Sequence, residues 1–274
     1  MSTTPTSVPT APADRSTRST SIPYVVAGGV ILGAVGVWAA VTHHPQANLV
    51  VRYVLVGVVY LAVGWWLGRQ GHPALGILVA LTGAVWFIPE FQDTRRGALV
   101  GIAILFEDVY RATYGHAVLA YPDGRVRPRF GVWVVWAGYF LTLVGGSLRA
   151  LTYQPYLWQS CDCPRNGFAI WHSQSLYNGV NDVYRVIGAV LAVALIVLLV
   201  VKTRAPHRAG ADVRPVWGAL AGTVIIAVSG FLRDQLDLSR NGVVFWLWVE
   251  GAGLLVTALS LLLLRRRSAM PEPA

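Results

Sequence analysis

Charge is scarce in this chain of 274 residues: 13% are Asp, Glu, Lys or Arg, against about a quarter in an ordinary soluble domain. A water-facing surface of this size needs more, so a soluble globular protein is excluded. Lysine is almost missing; Lys202 is the only one. Cysteine is limited to Cys161 and Cys163, too few for a disulfide framework. Catalytic signatures are missing too. There is no H-E-x-x-H zinc motif, no G-x-x-x-x-G-K-[ST] phosphate loop and no G-x-S-x-G nucleophile elbow. Val228-Ser229-Gly230 lacks the leading glycine and reads as small-residue packing inside a helix. The expectation is a protein that is not an enzyme and that uses no cofactor and no metal.

What the chain does hold is long apolar runs, with 55% of its residues hydrophobic. A helix that crosses about 30 Å of hydrocarbon needs roughly 20 such residues. The runs predict an all-α, polytopic transmembrane bundle over residues 22–267 with about eight spans: Pro23–Thr42, Leu49–Leu67, Ala74–Ile88, Ala98–Ala120, Gly131–Leu151, Val183–Val201, Val216–Leu232 and Val243–Leu264. The third is the shortest and ends at Pro89. Residues 1–21 are rich in Ser, Thr, Pro and Ala, and are expected to be a disordered cytoplasmic tail. The first apolar run is too long for a cleaved leader, which predicts a retained anchor. Residues 268–274 are expected to form a short cytoplasmic tail.

The net charge of +9 sits in loops. Arg125, Arg127, Arg129, Lys202, Arg204, Arg208, Arg214 and the run Arg265-Arg266-Arg267 all fall on one side when both termini are placed inside. The positive-inside rule therefore predicts N-in, C-in topology, in the plasma membrane. With no exposed basic domain to dock on a duplex, nucleic acid is not an expected partner. The tryptophans Trp65, Trp66, Trp86, Trp133, Trp217, Trp246 and Trp248 lie near span ends, where amphipathic rings sit at headgroup level.

Polar groups interrupt this pattern. The fourth span carries Glu107, Asp108, Arg111 and His116. Glu107 and Asp108 stand four and three residues before Arg111, so both could pair with it along one helix face. An unpaired charge at that depth costs at least about 2.5 kcal/mol. Glu250 in the eighth span lies at a similar depth, about 13 Å below the outer surface at 1.5 Å per residue. Arg149, Asp182, Arg185, Arg233 and Asp234 cluster near the outer ends of spans five to seven. Together these side chains are candidates for an outward-facing sensing or ligand site, with a purely structural ion pair as the competing reading. The tetrapeptide Asp108-Val109-Tyr110-Arg111 recurs as Asp182-Val183-Tyr184-Arg185, but its surroundings match poorly and no repeat is assigned.

The longest outer loop, 152–182, mixes aromatics with turn formers, the composition of an ordered cap. Its Cys161-Asp162-Cys163 has three readings: a local or intermolecular disulfide, inert thiols, or soft metal ligands with His172. The last is one ligand short of a structural zinc site.

Two stretches carry a family likeness. His116-Ala117-Val118-Leu119-Ala120-Tyr121-Pro122-Asp123-Gly124-Arg125-Val126 resembles a signature that closes a membrane helix in the sensor regions of actinobacterial two-component histidine kinases. Cys161-Asp162-Cys163-Pro164-Arg165-Asn166 is similar to an element of their outer loop. The likeness extends over spans two to eight and implies a membrane sensor module. The sequence departs from that family after Arg267, before any phospho-accepting or ATP-binding region, as expected of either a free-standing relative of the sensor half or a truncated product. What the resemblance implies is signalling through the lipid-embedded helices to a separate kinase or membrane protein, with a homodimer as a further option. The competing expectation is a small transporter or proton path through Glu107, Asp108, Arg111 and Glu250; the sequence shows neither inverted repeats nor paired broken helices in its support.

The topology has a direct test. A membrane-impermeant thiol reagent applied to intact, reduced cells is expected to label Cys161 and Cys163; labelling only after lysis would reverse the orientation.

Overall fold

The computed structural model describes residues 21–43, 47–94, 96–127, 129–158, 165–204, 213–236 and 240–263. Among them the chain is all-α, without a strand. Cys161, Cys163, the run Arg265-Arg266-Arg267 and both tails, apart from Ser21, lie outside the described residues.

Helices α1 (Ser21–His43), α2 (Ala47–Arg69) and α3 (Pro73–Val85) pack together around Leu61, Ala80, Ala84 and Phe87. α2 stops at Gly71, whose φ of +90° favours glycine. Beyond it the His72 N–H donates to the Leu67 carbonyl at 3.0 Å and the Gly71 N–H to Gly68 at 3.3 Å, a Schellman closure. Pro73 then opens α3 where a missing N–H costs nothing. The turn lays α3 on α2 at backbone contact: a Cβ on Gly64 would lie 2.6 Å from the Ala80 nitrogen. Small residues permit this approach, which replaces the hydrophobic drive that lipid cannot supply. A 3₁₀ turn, Ile88–Asp93, carries the third span on past Pro89.

The fourth span is broken. α4 (Gly97–Phe106) stops, Glu107 and Asp108 turn, and α5 (Val109–Ala120) resumes. Asp108 leaves helical geometry at φ −104°, ψ 2°. This corrects the expectation of one continuous helix over Ala98–Ala120. Each half is too short to cross a bilayer, since ten to twelve residues reach only about 15–18 Å. The fifth span matches it. α6 (Arg129–Phe140) passes through a π-helical stretch, Leu141–Gly145, before α7 (Gly146–Thr152). The wider π turn re-aims the residues that follow. Gly146 then meets the chain just before the break: a Cβ there would lie 2.1 Å from the Leu105 carbonyl oxygen.

After α8 (Pro155–Trp158) and a loop comes α9 (Gln174–Arg204), the longest helix at 31 residues. The outer loop expected over 152–182 is therefore shorter. Its segment from Gln174 to Asp182 is helical, so Asp182 and Arg185 share one helix. α9 buries only Tyr184 and Leu199 and leaves Val186, Val190, Val193, Val197 and Val201 as an exposed apolar stripe. α10 (Arg214–Gln235) and α11 (Arg240–Leu261) form the closing hairpin. Its helices touch through Gly218, Gly222 and Gly253; a Cβ on Gly222 would lie 2.4 Å from the Gly253 carbonyl oxygen.

Among the described residues, seven stretches are long and apolar enough to cross a membrane: Ser21–Ala39, Leu49–Arg69, Pro73–Gln92, Arg129–Thr152, Gln174–Arg204, Arg214–Arg233 and Asn241–Leu261. The broken α4–α5 pair is the remaining apolar segment. The chain is an all-α multi-pass membrane protein.

The backbone contact at Gly146 sets an expectation. Gly146→Ala should destabilise the bundle by about 1–3 kcal/mol, as overpacking does. Gly179→Ala, where no atom lies within 4 Å of the added Cβ, should leave stability equal or up to about 1 kcal/mol higher. Thermal unfolding of both variants in detergent, followed by helical circular dichroism, checks the contrast.

Candidate functional site: ion pairs at the broken span

The break at Glu107-Asp108 places two carboxylates and the first turn of α5 against three other helices. Asp108 is buried and accepts from Arg149 Nη2 at 2.7 Å and from Arg111 Nη1 at 2.9 Å. Arg111 continues the chain of pairs through its Nη2, 3.1 Å from Glu250 Oε1. Glu250 of α11 is 2% exposed and accepts two further bonds, from the Tyr110 hydroxyl at 2.5 Å and from Arg233 Nη1 at 3.2 Å. Glu107 stands at the margin. Its side chain is 44% exposed and reaches Arg149 Nη2 at 3.5 Å. α5, α7, α10 and α11 are thus joined by three carboxylates and three arginines.

Pairing of this kind is what makes the charges tolerable. Removing one partner from a buried pair leaves the other uncompensated, at a cost of about 3–5 kcal/mol. Arg149 carries some of that cost already: its Nε–H is buried without a hydrogen-bond partner, although its guanidinium lies 4.6 Å above the Tyr184 ring.

A fourth arginine backs the cluster. Arg52 of α2 is 1% exposed, donates to the Leu247 carbonyl at 2.8 Å and lies 4.2 Å from the centroid of the Tyr53 ring. Trp86 joins the layer, donating to the Tyr53 carbonyl at 3.2 Å and meeting Tyr110 edge-on at 4.7 Å. One turn further along α5 the Tyr114 hydroxyl bonds Thr223 at 2.8 Å and Thr257 at 3.0 Å. Tyr110 and Tyr114 therefore pin α5 to the closing hairpin.

The cluster forms one end of a cavity of about 450 Å³ between α5, α6, α9 and α10. Asp108, Tyr110 and Arg111 line it from α5, Tyr184 and Arg185 from α9. The two Asp-Val-Tyr-Arg tetrapeptides thus meet across one space. Each contains an Asp–Arg pair three residues apart, at 2.9 Å for Asp108–Arg111 and 4.0 Å for Asp182–Arg185.

Most of the sequence candidates converge here. Glu107, Asp108, Arg111, Arg149 and Glu250 are brought together, and Arg185 and Arg233 line the same cavity. Three expectations are corrected. The pair expected between Glu107 and Arg111 is replaced by Glu107–Arg149, because the turn at Asp108 rotates Glu107 away from α5. Asp182 has a mostly exposed side chain and contributes to the site only through Arg185. His116 lines the same cavity but stands apart from the ion pairs, two residues or about half a turn beyond Tyr114, with its Nδ1 3.3 Å from the Tyr139 hydroxyl. The Asp234 side chain lies outside the described residues. Sequence reasoning missed Tyr110, Tyr114 and Arg52; the signal was present in two tyrosines four apart beside Arg111 and in an arginine one turn into an apolar span. Among the described residues no three His, Cys, Asp or Glu side chains converge on a metal-sized site.

The described residues of the two stretches that carry the family likeness act as fasteners. After α5, Gly124 takes a φ of +72°, and Lys202 of α9 donates to the Leu119 and Tyr121 carbonyls. Asn166 is buried and donates to the Ala150 carbonyl at 2.7 Å and to Tyr153 at 2.8 Å, closing the end of α7. No protein-family model matches the chain, and no curated protein and no solved structure matches it.

The graded burial of the carboxylates yields a prediction. Glu250→Gln should cost about 3 kcal/mol or more in stability, as breaking a buried pair does. Glu107→Gln should cost less than about 1 kcal/mol, as for a partly exposed pair. Parallel unfolding curves of the two variants decide it; equal losses would mean that the network does not depend on depth.

Proposed function

We propose that this chain is a non-enzymatic, ligand-responsive sensor module of the plasma membrane that signals through a separate membrane protein or kinase. One observation carries the reading: the ion pairs at the broken span join four helices and form one wall of a cavity open to a ligand. A ligand shifts a conformational equilibrium only by binding one state better than the other. Here a bound group that competes for Arg149 or Arg233 releases a carboxylate, and the helix bearing that carboxylate must find a new partner. The binding event and the helix displacement are then the same event. The likeness of the His116–Val126 and Cys161–Asn166 stretches to kinase sensor regions points the same way. A second copy of the chain is the alternative recipient.

A transporter is the second reading, and the break at Glu107-Asp108 favours it, because interrupted helices expose backbone ends at binding sites within the membrane. Glu107 is its best proton or solute ligand, being the one carboxylate of the cluster with a partly exposed side chain.

Two measurements separate the readings. Crosslinking in native membranes is expected to capture a separate membrane protein or kinase, with a yield that changes in Asp108→Asn; self-contacts alone would remove the signalling partner. Reconstituted vesicles are expected to show no proton or solute flux above protein-free controls. Flux abolished by Glu107→Gln would establish the transporter instead.

A further inference from the structure

The cavity has two different ends. At the ion-pair end its wall carries Arg111, Arg149, Arg185 and Arg233 against the carboxylates Glu107 and Asp108; Glu250, which pairs with two of these arginines, lies behind the wall. The rest is a mostly apolar slot running along α5 from Arg111 to Leu119, about 12 Å at 1.5 Å per residue, with Tyr114, His116, Thr142 and Thr223 as its polar lining. Val134, Leu191 and Leu195 face it from α6 and α9. Its volume of about 450 Å³ falls within the roughly 300–1,000 Å³ of small-molecule pockets.

Glycine makes the slot. Gly115, Gly138, Gly188 and Gly230 all line it. A Cβ on the first three would meet only ordinary contacts, at 3.7, 3.9 and 4.0 Å, and on Gly230 nothing within 4 Å. These glycines differ from Gly64, Gly146 and Gly222, whose hydrogens are required by backbone contact. Each costs about 1 kcal/mol of helix propensity against alanine and obtains no closer packing in return. What four of them provide, on four different helices, is room.

We propose that this room holds an anionic membrane lipid, with its phosphate at the arginine end and one acyl chain in the slot. The chemistry of the two ends matches such a molecule: four guanidiniums and two carboxylates line the wall at the headgroup end, with Glu250 and Asp182 pairing three of those guanidiniums from outside it, and a mostly apolar channel receives the tail. α9, which buries only two side chains, is the wall that moves to admit it. The inference rests on the reading of the cavity as the ligand site and names the ligand class.

The test uses the full-length chain, purified from vesicles of equimolar phosphatidylglycerol and phosphatidylcholine, with retained lipid counted by native mass spectrometry. Phosphatidylglycerol should be retained preferentially, and Arg185→Gln should weaken the preference by about fivefold, the value of one basic residue near an anionic headgroup. Gly138→Leu and Gly188→Leu fill the slot and should lose retained lipid while melting no lower than the wild type; Gly230→Leu serves if either fails to fold. Equal retention of the two lipids, or undiminished retention in the filled variants, overturns the proposal. Displacement of the lipid by soluble glycerol phosphate also overturns it, since a water-soluble anion would then be the ligand. A chain that retains no lipid yet crosslinks a partner in native membranes loses the lipid and keeps the sensing role.

Discussion

The contact on which the rest depends is the salt bridge between Asp108 and Arg149. It joins the point where the fourth span breaks to the segment just after the π-helical stretch of the fifth. In hydrocarbon neither charge can be left alone. The fourth span leaves helical geometry at Asp108, and the fifth widens by a turn that helps aim Arg149, as the pairing requires. Gly146 allows the two irregular backbones to touch. Once Asp108 is held, Arg111 is held from the same helix, and through it Glu250 and Arg233. The charged layer thus grows outward from one pair.

The same logic separates the layer from the rest of the bundle. Elsewhere the helices meet through small residues and apolar packing, as in α2 on α3 and α10 on α11, and those joints have a single arrangement because backbone lies on backbone. The charged joint is different. Arg111 bridges two carboxylates, Arg149 touches two, and Glu250 accepts from three donors. A network with shared partners can be rearranged by exchange without leaving a charge bare, the property on which the proposed sensing role draws.

Much of the architecture was legible in the sequence, because lipid imposes strict rules on it. Apolar run length gave the spans, and even the short third one is present, extended by the turn around Pro89. The convergence of Glu107, Asp108, Arg111, Arg149 and Glu250 was legible for the same reason, since an intramembrane charge must find another. What escaped was geometry that no periodicity records. The break at Asp108 and the π-helical stretch arise from contacts between spans, so a one-helix pattern such as Glu107 to Arg111 four residues apart suggests a pair that the folded chain does not make. The start of α9 was hidden by the polar residues Gln174 to Asp182, which are helical without being apolar. The meaning of the glycines was hidden too. Gly222 and Gly230 look alike in a hydrophobic run, yet one is pressed on a neighbouring backbone and the other faces empty space.

The closing hairpin has a mechanical consequence. With Gly218, Gly222 and Gly253 seated on the facing helix, and the Ser260 hydroxyl bonded to the Pro215 carbonyl at 3.3 Å at the far end, α10 and α11 behave as one stiff rod. Arg233 and Glu250 sit together near one tip of that rod. Under the proposed sensing role, a small tilt started there would reach the opposite tip as a sweep whose size grows with the rod's length, which would make the hairpin a lever.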